Sequence, residues 1–473
     1  MPGLFGILSL GSRSLQTQQS GIEVAGHNIA NANNTGYTRQ RLLVQATSQA
    51  GGQYGSIGTG IEGVAVQQLR DVLLDAQITS ETSISGSLDA QQTALQQAQA
   101  SLGEQLDRLA SGTDSTNAIG NTHSLSTGLS DLFNAFQTLA NDPTSPSARQ
   151  SVLLKAQSLG GQFNQIKTRF DELDKQLNQS VGSDVQSANQ LMSDIAKLNG
   201  QITANEAGDP GSANDLRDLR EQKLEALAKI VKVDVANGSN GAVDLSIGGV
   251  SMVSGKSVAD TLQTVDPGNG RLLVQAAGAG TTLNMTGGSL HGTIDARDSA
   301  IANTESQVNA LAAAMIKEVN AVHATGFSQG GTSGNDFFTG TGAGNIAVNN
   351  ALVVNPSLIQ ASGDATAAGN NKVALALAQL GTKPFASLGN QSFAQNYSAT
   401  VASLGSSLNT VNNQIGDQGV VTQMLKAQRD SSSGVSLDEE MTDLTRYQKA
   451  YQASARLINT IDDLLDVALS LKR

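Results

Sequence analysis

The chain has 473 residues, 29 basic against 41 acidic side chains for a net charge of −12, and no cysteine. That balance speaks against a nucleic-acid partner, which needs a basic face to displace counterions, and the missing thiols exclude disulfides, thiolate metal centres and cysteine nucleophiles. Aromatics are only 3% of residues, beside 50 glycines and 7 prolines, so aliphatic side chains and alanine must make the contacts, in thin helical layers rather than one aromatic-rich core.

The first element in chain order is a helix from residue 4 to about 34. Leu8, Leu15, Ile22 and Ile29 recur every seven residues, with Leu4, Gly11, Gln18 and Ala25 as a weaker companion row, which describes a narrow apolar seam. The helix stops at Asn31-Ala32-Asn33-Asn34-Thr35-Gly36, where asparagine and glycine accept the left-handed cap conformation. The opening residues have an apolar patch but no cation before Arg13, unlike a cleaved secretory signal. No stretch approaches the roughly 20 apolar residues of a membrane span, so membrane insertion is not expected.

Residues 41–69 read as extended, with Arg41-Leu42-Leu43-Val44 and Ile61-Glu62-Gly63-Val64-Ala65-Val66 flanking a glycine-rich turn. Helical periodicity returns near residue 70. Leu88, Leu95, Leu102 and Leu109 step by seven, and Val181, Val185, Ala188, Leu191, Ile195, Leu198 and Ile202 step by three and four. Asn141-Asp142-Pro143 and Ser145-Pro146 are turn signals between them, and a charged helix runs from Asp215 to about Val231.

Short alternating runs then appear at Val233-Asp234-Val235, Val243-Asp244-Leu245-Ser246-Ile247 and Leu272-Leu273-Val274, separated by Asn-Gly and Gly-Gly steps. They mark residues 232–296 as β-rich. Helix returns from about 297 to 322, residues 323–390 are loop-rich and mixed, and Val401, Leu404, Leu408, Val411 and Ile415 begin another helix. The last segment, 436–471, mirrors the first. Leu444, Tyr451, Ile458 and Leu465 repeat every seven beside Tyr447, Ser454, Ile461 and Ala468, with Asp438-Glu439-Glu440 favourably placed in the first turn.

The expected fold is therefore mainly α with an inserted β-rich domain. Residues 1–69 and 433–473 form a discontinuous terminal assembly domain of coiled-coil-like heptad helices. Residues 70–231 and 297–432 form a discontinuous, rod-like helical middle, and 232–296 a small outer β domain.

Asn28-Ile29-Ala30-Asn31-Ala32-Asn33-Asn34-Thr35-Gly36-Tyr37 resembles the N-terminal signature of the flagellar rod, hook and hook-associated axial proteins. Glu439-Glu440, Leu444, Tyr447-Gln448-Lys449-Ala450-Tyr451-Gln452-Ala453 and Leu464-Leu465 resemble the matching C-terminal signature. Within that superfamily, Tyr37-Thr38-Arg39-Gln40-Arg41, the long helical middle and the run Gly287-Gly288-Ser289-Leu290-His291-Gly292 are similar to the hook-associated protein 1 family. So are Val319-Asn320-Ala321-Val322-His323 and Phe337-Phe338, although the chain looks shorter than well-known members.

The resemblance implies a structural subunit joining hook to filament, built into a ring or helical homo-oligomer. Its implied partners are the hook protein, the second hook–filament junction protein and a cytoplasmic export chaperone. It also implies secretion to the bacterial flagellum by type III export, without a cleaved signal. A hook or distal-rod axial protein, or a secreted coiled-coil effector or adhesin, are the alternatives. The motif residues carried over are Asn28, Ile29, Asn31, Asn34, Thr35, Gly36 and Tyr37. The assembly seams are Leu8, Leu15, Ile22 and Ile29 at one end and Leu444, Tyr447, Tyr451, Ile458, Ile461 and Leu465 at the other.

Burial energetics agree with assembly at the ends. About seven seam side chains at ~1.5–3 kcal/mol each give on the order of 10–20 kcal/mol for the first helix. Ordering its backbone costs ~1–2 kcal/mol per residue, and its glycines weaken it further. The helix should be marginal alone and ordered only against partners. Residues 1–50 hold three cations and one acid and residues 433–473 five cations and seven acids, a weak complementarity that leaves the apolar seams dominant.

Enzymatic chemistry finds no foothold. Gly255-Lys256-Ser257 lacks the earlier glycine of a phosphate loop, since position 250 is Val, and it sits among short strands. His27, His123, His291 and His323 show no zinc-protease spacing, and no cofactor or metal is expected.

Overall fold

A computed structural model describes residues 4–47, 49–52, 55–103, 124–208 and 211–470. Leu109, His123 and the closing Lys472-Arg473 lie outside them.

The outgoing helix, α1 (Leu4–Asn31), ends where the asparagine run begins to turn. Four short strands follow: β1 (Gln40–Ala46), β2 (Gln49–Gly52), β3 (Gly55–Gly58) and β4 (Ile61–Gln68). β1 pairs antiparallel with β4, Gln40 opposite Gln68 and Ala46 opposite Ile61, with a bulge between Leu43 and Val44; β2 and β3 close a hairpin beyond them.

α2 (Val72–Leu102) starts at Asp71, whose carboxylate accepts from the Leu73 and Leu74 amides, and stops at Gly103, which takes the left-handed conformation. α3 (Leu125–Asn141) and the 60-residue α4 (Pro146–Asn205) are separated by the two turn signals. Ser145 caps α4, and Pro146 occupies its first position, where a missing amide costs nothing. α5 (Asn214–Ile230) then runs back along α4.

The inserted strands β5 (Asp234–Asn237), β6 (Val243–Ile247), β7 (Val250–Ser254) and β8 (Ser257–Val258) form one antiparallel sheet in chain order. β9 (Leu262–Val265) and β10 (Leu273–Ala276) pair separately. Their buried side chains share a core with the distal half of α4 and with α5: Leu245, Met252, Val253 and Val274 meet Val181, Met192, Ile195 and Leu227.

Residues 288–296, expected in the β-rich segment, are instead helical. They form α6 (Gly288–Ala296), which passes through a π-helical turn at Arg297–Ile301 into α7 (Ala302–His323). The glycines that looked like loop signals permit close packing. A Cβ on Gly292 would stand 2.0 Å from the Ser87 carbonyl oxygen of α2, so only glycine allows this crossing.

Residues 324–392 hold β11 (Phe338–Thr339), β12 (Ala347–Val348), α8 (Asn350–Val354), α9 (Lys372–Gln379) and turns. A reciprocal cap between Ser392 and Gln395 opens α10 (Phe393–Ser433), and α11 (Leu437–Ser470) returns to the start. The larger core joins α2, α3, the proximal half of α4, α7, α9 and α10. The few aromatics are concentrated there, as in the stacked rings of Phe133 and Phe393, 5.7 Å between centroids.

Candidate functional site: a clasped pair of terminal helices

α1 and α11 pack antiparallel along their length. The closest approaches fall on small residues of α1. A Cβ on Gly11 would stand 2.9 Å from Ile458 Cγ1, Ser14 Oγ lies 2.9 Å from Ser454 Oγ, and a Cβ on Gly21 would stand 2.6 Å from the Tyr447 ring. Asn28 and Glu440 close the row with a 3.0 Å hydrogen bond. The contact line therefore follows Gly11, Ser14, Gly21, Ala25 and Asn28, stepping by three, four and seven; Gly11, Gly21, Ala25 and Asn28 are buried. Without large side chains there, the axes come close and the larger residues of α11 fill the space.

The expected seam residues flank this line. Leu8, Leu15, Ile22 and Ile29 are half-buried, as are Leu444, Tyr447, Tyr451, Ile458 and Leu465, while Ile461 is buried. Of the row read as the weak companion, only Gly11 and Ala25 fall on this line; Ser14, Gly21 and Asn28 form a further row at heptad spacing, which hydropathy does not register.

The asparagine-rich motif builds the base of the pair. Asn28 Nδ2 donates to the Gln40 carbonyl at 2.8 Å and to Glu440 Oε2, while Asn28 Oδ1 accepts from the Gln40 amide at 3.0 Å and from the Tyr37 hydroxyl at 2.6 Å. Two donors and two acceptor sites are all used, which fixes the orientation of this buried amide. His27 Nδ1 lies 3.0 Å from the Tyr37 oxygen. With the tyrosine proton directed at Asn28, that ring nitrogen is the donor. Burial, reinforced by Asp215, Asp218 and Glu440, holds the Tyr37 hydroxyl far above its ordinary pKa and so keeps its proton in place.

The remaining motif residues shape the turn. Asn31 Nδ2 donates to the His27 carbonyl at 3.0 Å, and Asn34 Oδ1 accepts from the Gly36 amide at 3.2 Å. Thr35 is exposed. A Cβ on Gly36 would stand 1.8 Å from Nε2 of the exposed Gln222 side chain, which would have to swing aside to admit one.

Sequence reasoning missed most of the clasp around this base. Arg39 Nε donates to Glu440 Oε1 at 2.7 Å and its Nη1 to Glu439 Oε2 at 2.6 Å, tying the first strand to the last helix. Burial alone would lower the Arg39 pKa, but the bonds to Glu439 and Glu440 outweigh it, and the net shift is upward. The preceding residue ties the pair to the helical middle: the Thr38 amide and hydroxyl donate to Asp218 of α5 at 2.9 and 2.7 Å. Gln40 Nε2 donates to Asp215 and Gln68 Nε2 to Asp218, both at 2.9 Å. Arg70 completes the layer against Asp75 at 2.5 Å and Glu221 at 3.0 Å. Burial raises the pKa values of Asp218 and Glu221, opposed by the donors from Thr38 and by Arg70. The signal available in sequence was the unusual density of Asp and Arg at the start of α5, which periodicity treats as solvated surface.

At the free end of the pair the surface is apolar. Phe5 is 75% exposed and Leu464 52%, with Leu457 and Val467 also exposed. Among the described residues no group of His, Asp and Glu is arranged to hold a metal ion, and no helix is long and apolar enough to cross a membrane.

Terminal helices clasped through a signature turn, around a helical middle with inserted strands, define a structural subunit of the flagellar axial class. The model described as the flagellar hook-associated protein FlgK helical domain matches residues 113–338, and that of the flagellar basal body rod FlgEFG protein C-terminal matches 426–471. Over nearly its whole length the chain is similar to the flagellar hook-associated protein 1 family. The flagellar hook-associated protein 1 of Bacillus subtilis (strain 168) is 28% identical over 517 aligned residues, covering 99% of both chains. That of Escherichia coli (strain K12) is 25% identical over 554, covering 97% of this chain and 98% of the other. Both alignments exceed 473 positions, so these relatives carry segments that this shorter chain lacks. The flagellar hook junction protein FlgK from Burkholderia pseudomallei shares the fold at a TM-score of 0.64 and 16% identity, over 76% of this chain and all of that one.

Proposed function

We propose that the chain is a junction subunit between hook and filament, incorporated through the free end and flanks of its terminal helix pair. The carrying observation is the contrast along that pair. Its base is saturated with hydrogen bonds inside the chain, while its far end leaves Phe5, Leu457, Leu464 and Val467 in water. Contiguous exposed apolar side chains on an otherwise acidic surface mark a protein–protein contact, and burying each would contribute ~1.5–3 kcal/mol.

Second copies of the chain, the hook protein and the second hook–filament junction protein are the partners this reading requires. A cytoplasmic chaperone would cover the same surface before secretion through the type III apparatus. The role is geometric and needs no catalytic group.

Deletion of the gene followed by complementation tests the reading. Loss of filaments from cells that retain hooks, restored by the full chain but not by one lacking residues 1–34, is the expected result. Cells without hooks would instead place the chain in the hook or distal rod. Normal filaments from the truncated chain would end the assembly proposal.

A further inference from the structure

Four Asn-Gly steps occur in the chain, at 199–200, 237–238, 240–241 and 269–270. An asparagine before glycine is prone to cyclise, because no Cβ hinders attack by the glycine nitrogen on the side-chain amide. The fold treats the four differently. Asn199 is buried within α4, its Nδ2 donating to the Val243 and Gly255 carbonyls at 2.8 Å each and its Oδ1 accepting from Arg220 at 3.0 Å. After Asn237, the Gly238 amide is held by the Ala242 carbonyl at 2.9 Å. After Asn269, the Gly270 amide is held by Asp266 Oδ1 at 3.0 Å, and Asn269 Oδ1 accepts from the Arg271 amide at 3.0 Å.

Asn240 alone has none of these restraints. It is exposed at the tip of the β5–β6 turn, and its side-chain amide makes no hydrogen bond with any described residue. The Gly241 amide likewise has no acceptor among the described residues, because the turn closes one residue later, from the Ala242 amide to the Ser239 carbonyl at 3.2 Å. Both turn residues have positive φ, 53° for Asn240 and 76° for Gly241, as in a tight hairpin turn.

We infer that Asn240 is a site of spontaneous deamidation and isomerisation in the folded protein. The Gly241 nitrogen, losing its proton to water, attacks Asn240 Cγ; the new N–Cγ bond forms, the Cγ–Nδ2 bond breaks, and ammonia leaves carrying that proton. Water then opens the succinimide at either carbonyl, leaving an aspartyl or an isoaspartyl residue at position 240. The isoaspartyl product inserts a methylene into the backbone of a turn that holds Asn237 opposite Val243. It also disturbs the Gly241 carbonyl, which accepts from Arg220 Nη1 at 2.7 Å and fastens the hairpin to α5. The added carboxyl group deepens the negative charge of the outer domain.

The two other unburied steps, at 237 and 269, serve as internal controls. Purified full-length chain is aged in mildly alkaline buffer, folded and in urea, and peptide-mapped with isoaspartyl-resolving mass spectrometry. In the folded chain, position 240 is expected to convert roughly tenfold faster than 237 and 269, where a hydrogen bond must open first. In urea the three rates should converge. An Asn240→Gln variant should lose the leading product while keeping the circular dichroism of the parent. Conversion led by 237 or 269 in the folded chain, or a position 240 that reacts only in urea, overturns the inference.

Discussion

Gly21 lies flat against the ring of Tyr447, with the position of a would-be Cβ only 2.6–2.8 Å from three ring carbons. Gly26, one turn further along the same helix, would meet nothing within 4 Å. Gly26→Ala should therefore stabilise α1 by up to about 1 kcal/mol through helix propensity alone. Gly21→Ala gains the same propensity but forces the ring aside, and should cost about 1–3 kcal/mol net. Amide exchange over residues 4–31 and 437–470 reads both changes. Equal effects of the two substitutions would show that the pair is not packed through this glycine.

Glu440 is 3% exposed and accepts from both Asn28 and Arg39, so one carboxylate joins the first helix, the first strand and the last helix. Glu440→Ala removes the acceptor of Arg39 Nε and one of the two acceptors of the Asn28 amide, leaving Arg39 only its bond to the exposed Glu439, and should cost about 3 kcal/mol. Glu440→Gln keeps an acceptor but not the charge and should cost about half of that. The loss should appear as faster exchange in α1 and α11, with the larger core of α3, α4 and α7 unaffected. A uniform drop in stability across the chain would instead show that the clasp and the middle unfold as one unit.

These relationships show what sequence could and could not reveal. Helices were legible wherever leucine and isoleucine kept their period; Pro143 fell between α3 and α4, where proline forbids continuation, and Pro146 opened α4. The contact line of the terminal pair was not legible as such. Gly11, Ser14 and Gly21 matter through the space they leave, which hydropathy cannot register. Gly292 misled in the same way, marking an intimate helix crossing where composition indicated strand and loop. Asp218 and Arg70 were missed because a charged side chain at helical spacing belongs to solvent unless some other segment covers it, and the covering segment lies about 150 residues away.

His323 is fully buried, with Nδ1 2.7 Å from the Asn335 carbonyl and Nε2 accepting from the Gln360 amide at 2.9 Å. That pair of bonds fixes a neutral ring protonated on Nδ1. Burial pushes its pKa down to about 4, with Arg149 adding to the fall and Asp336 opposing it. The folded value lies below the unfolded one, so the stabilisation is complete above about pH 6.5 and declines as pH falls towards 4. The decline should reach about 3 kcal/mol between pH 7 and pH 4 relative to a His323→Gln variant. Urea midpoints of both proteins across that range measure it. Parallel curves would mean that the ring accommodates a second proton without losing the Gln360 bond.

The two kinds of apolar residue on α11 should separate folding from assembly. Ile458 faces α1, where its Cγ1 would crowd any side chain on Gly11, while Leu464 is exposed. Ile458→Asp, like Ile22→Asp on the partner helix, puts a charge beside the pair itself. Either should loosen α1 and α11 in the monomer as well as prevent incorporation into filaments. Leu464→Asp, alone or with Val467→Asp, puts the charge where the monomer already meets water. It should leave exchange rates unchanged, within about 0.5 kcal/mol in stability, and still prevent incorporation. Filament counts in complemented cells, set beside exchange in the purified variants, give the comparison. If Leu464→Asp subunits enter filaments as well as the parent, the exposed leucines face solvent in the assembly too, and the contact between copies must lie on the flanks of the pair.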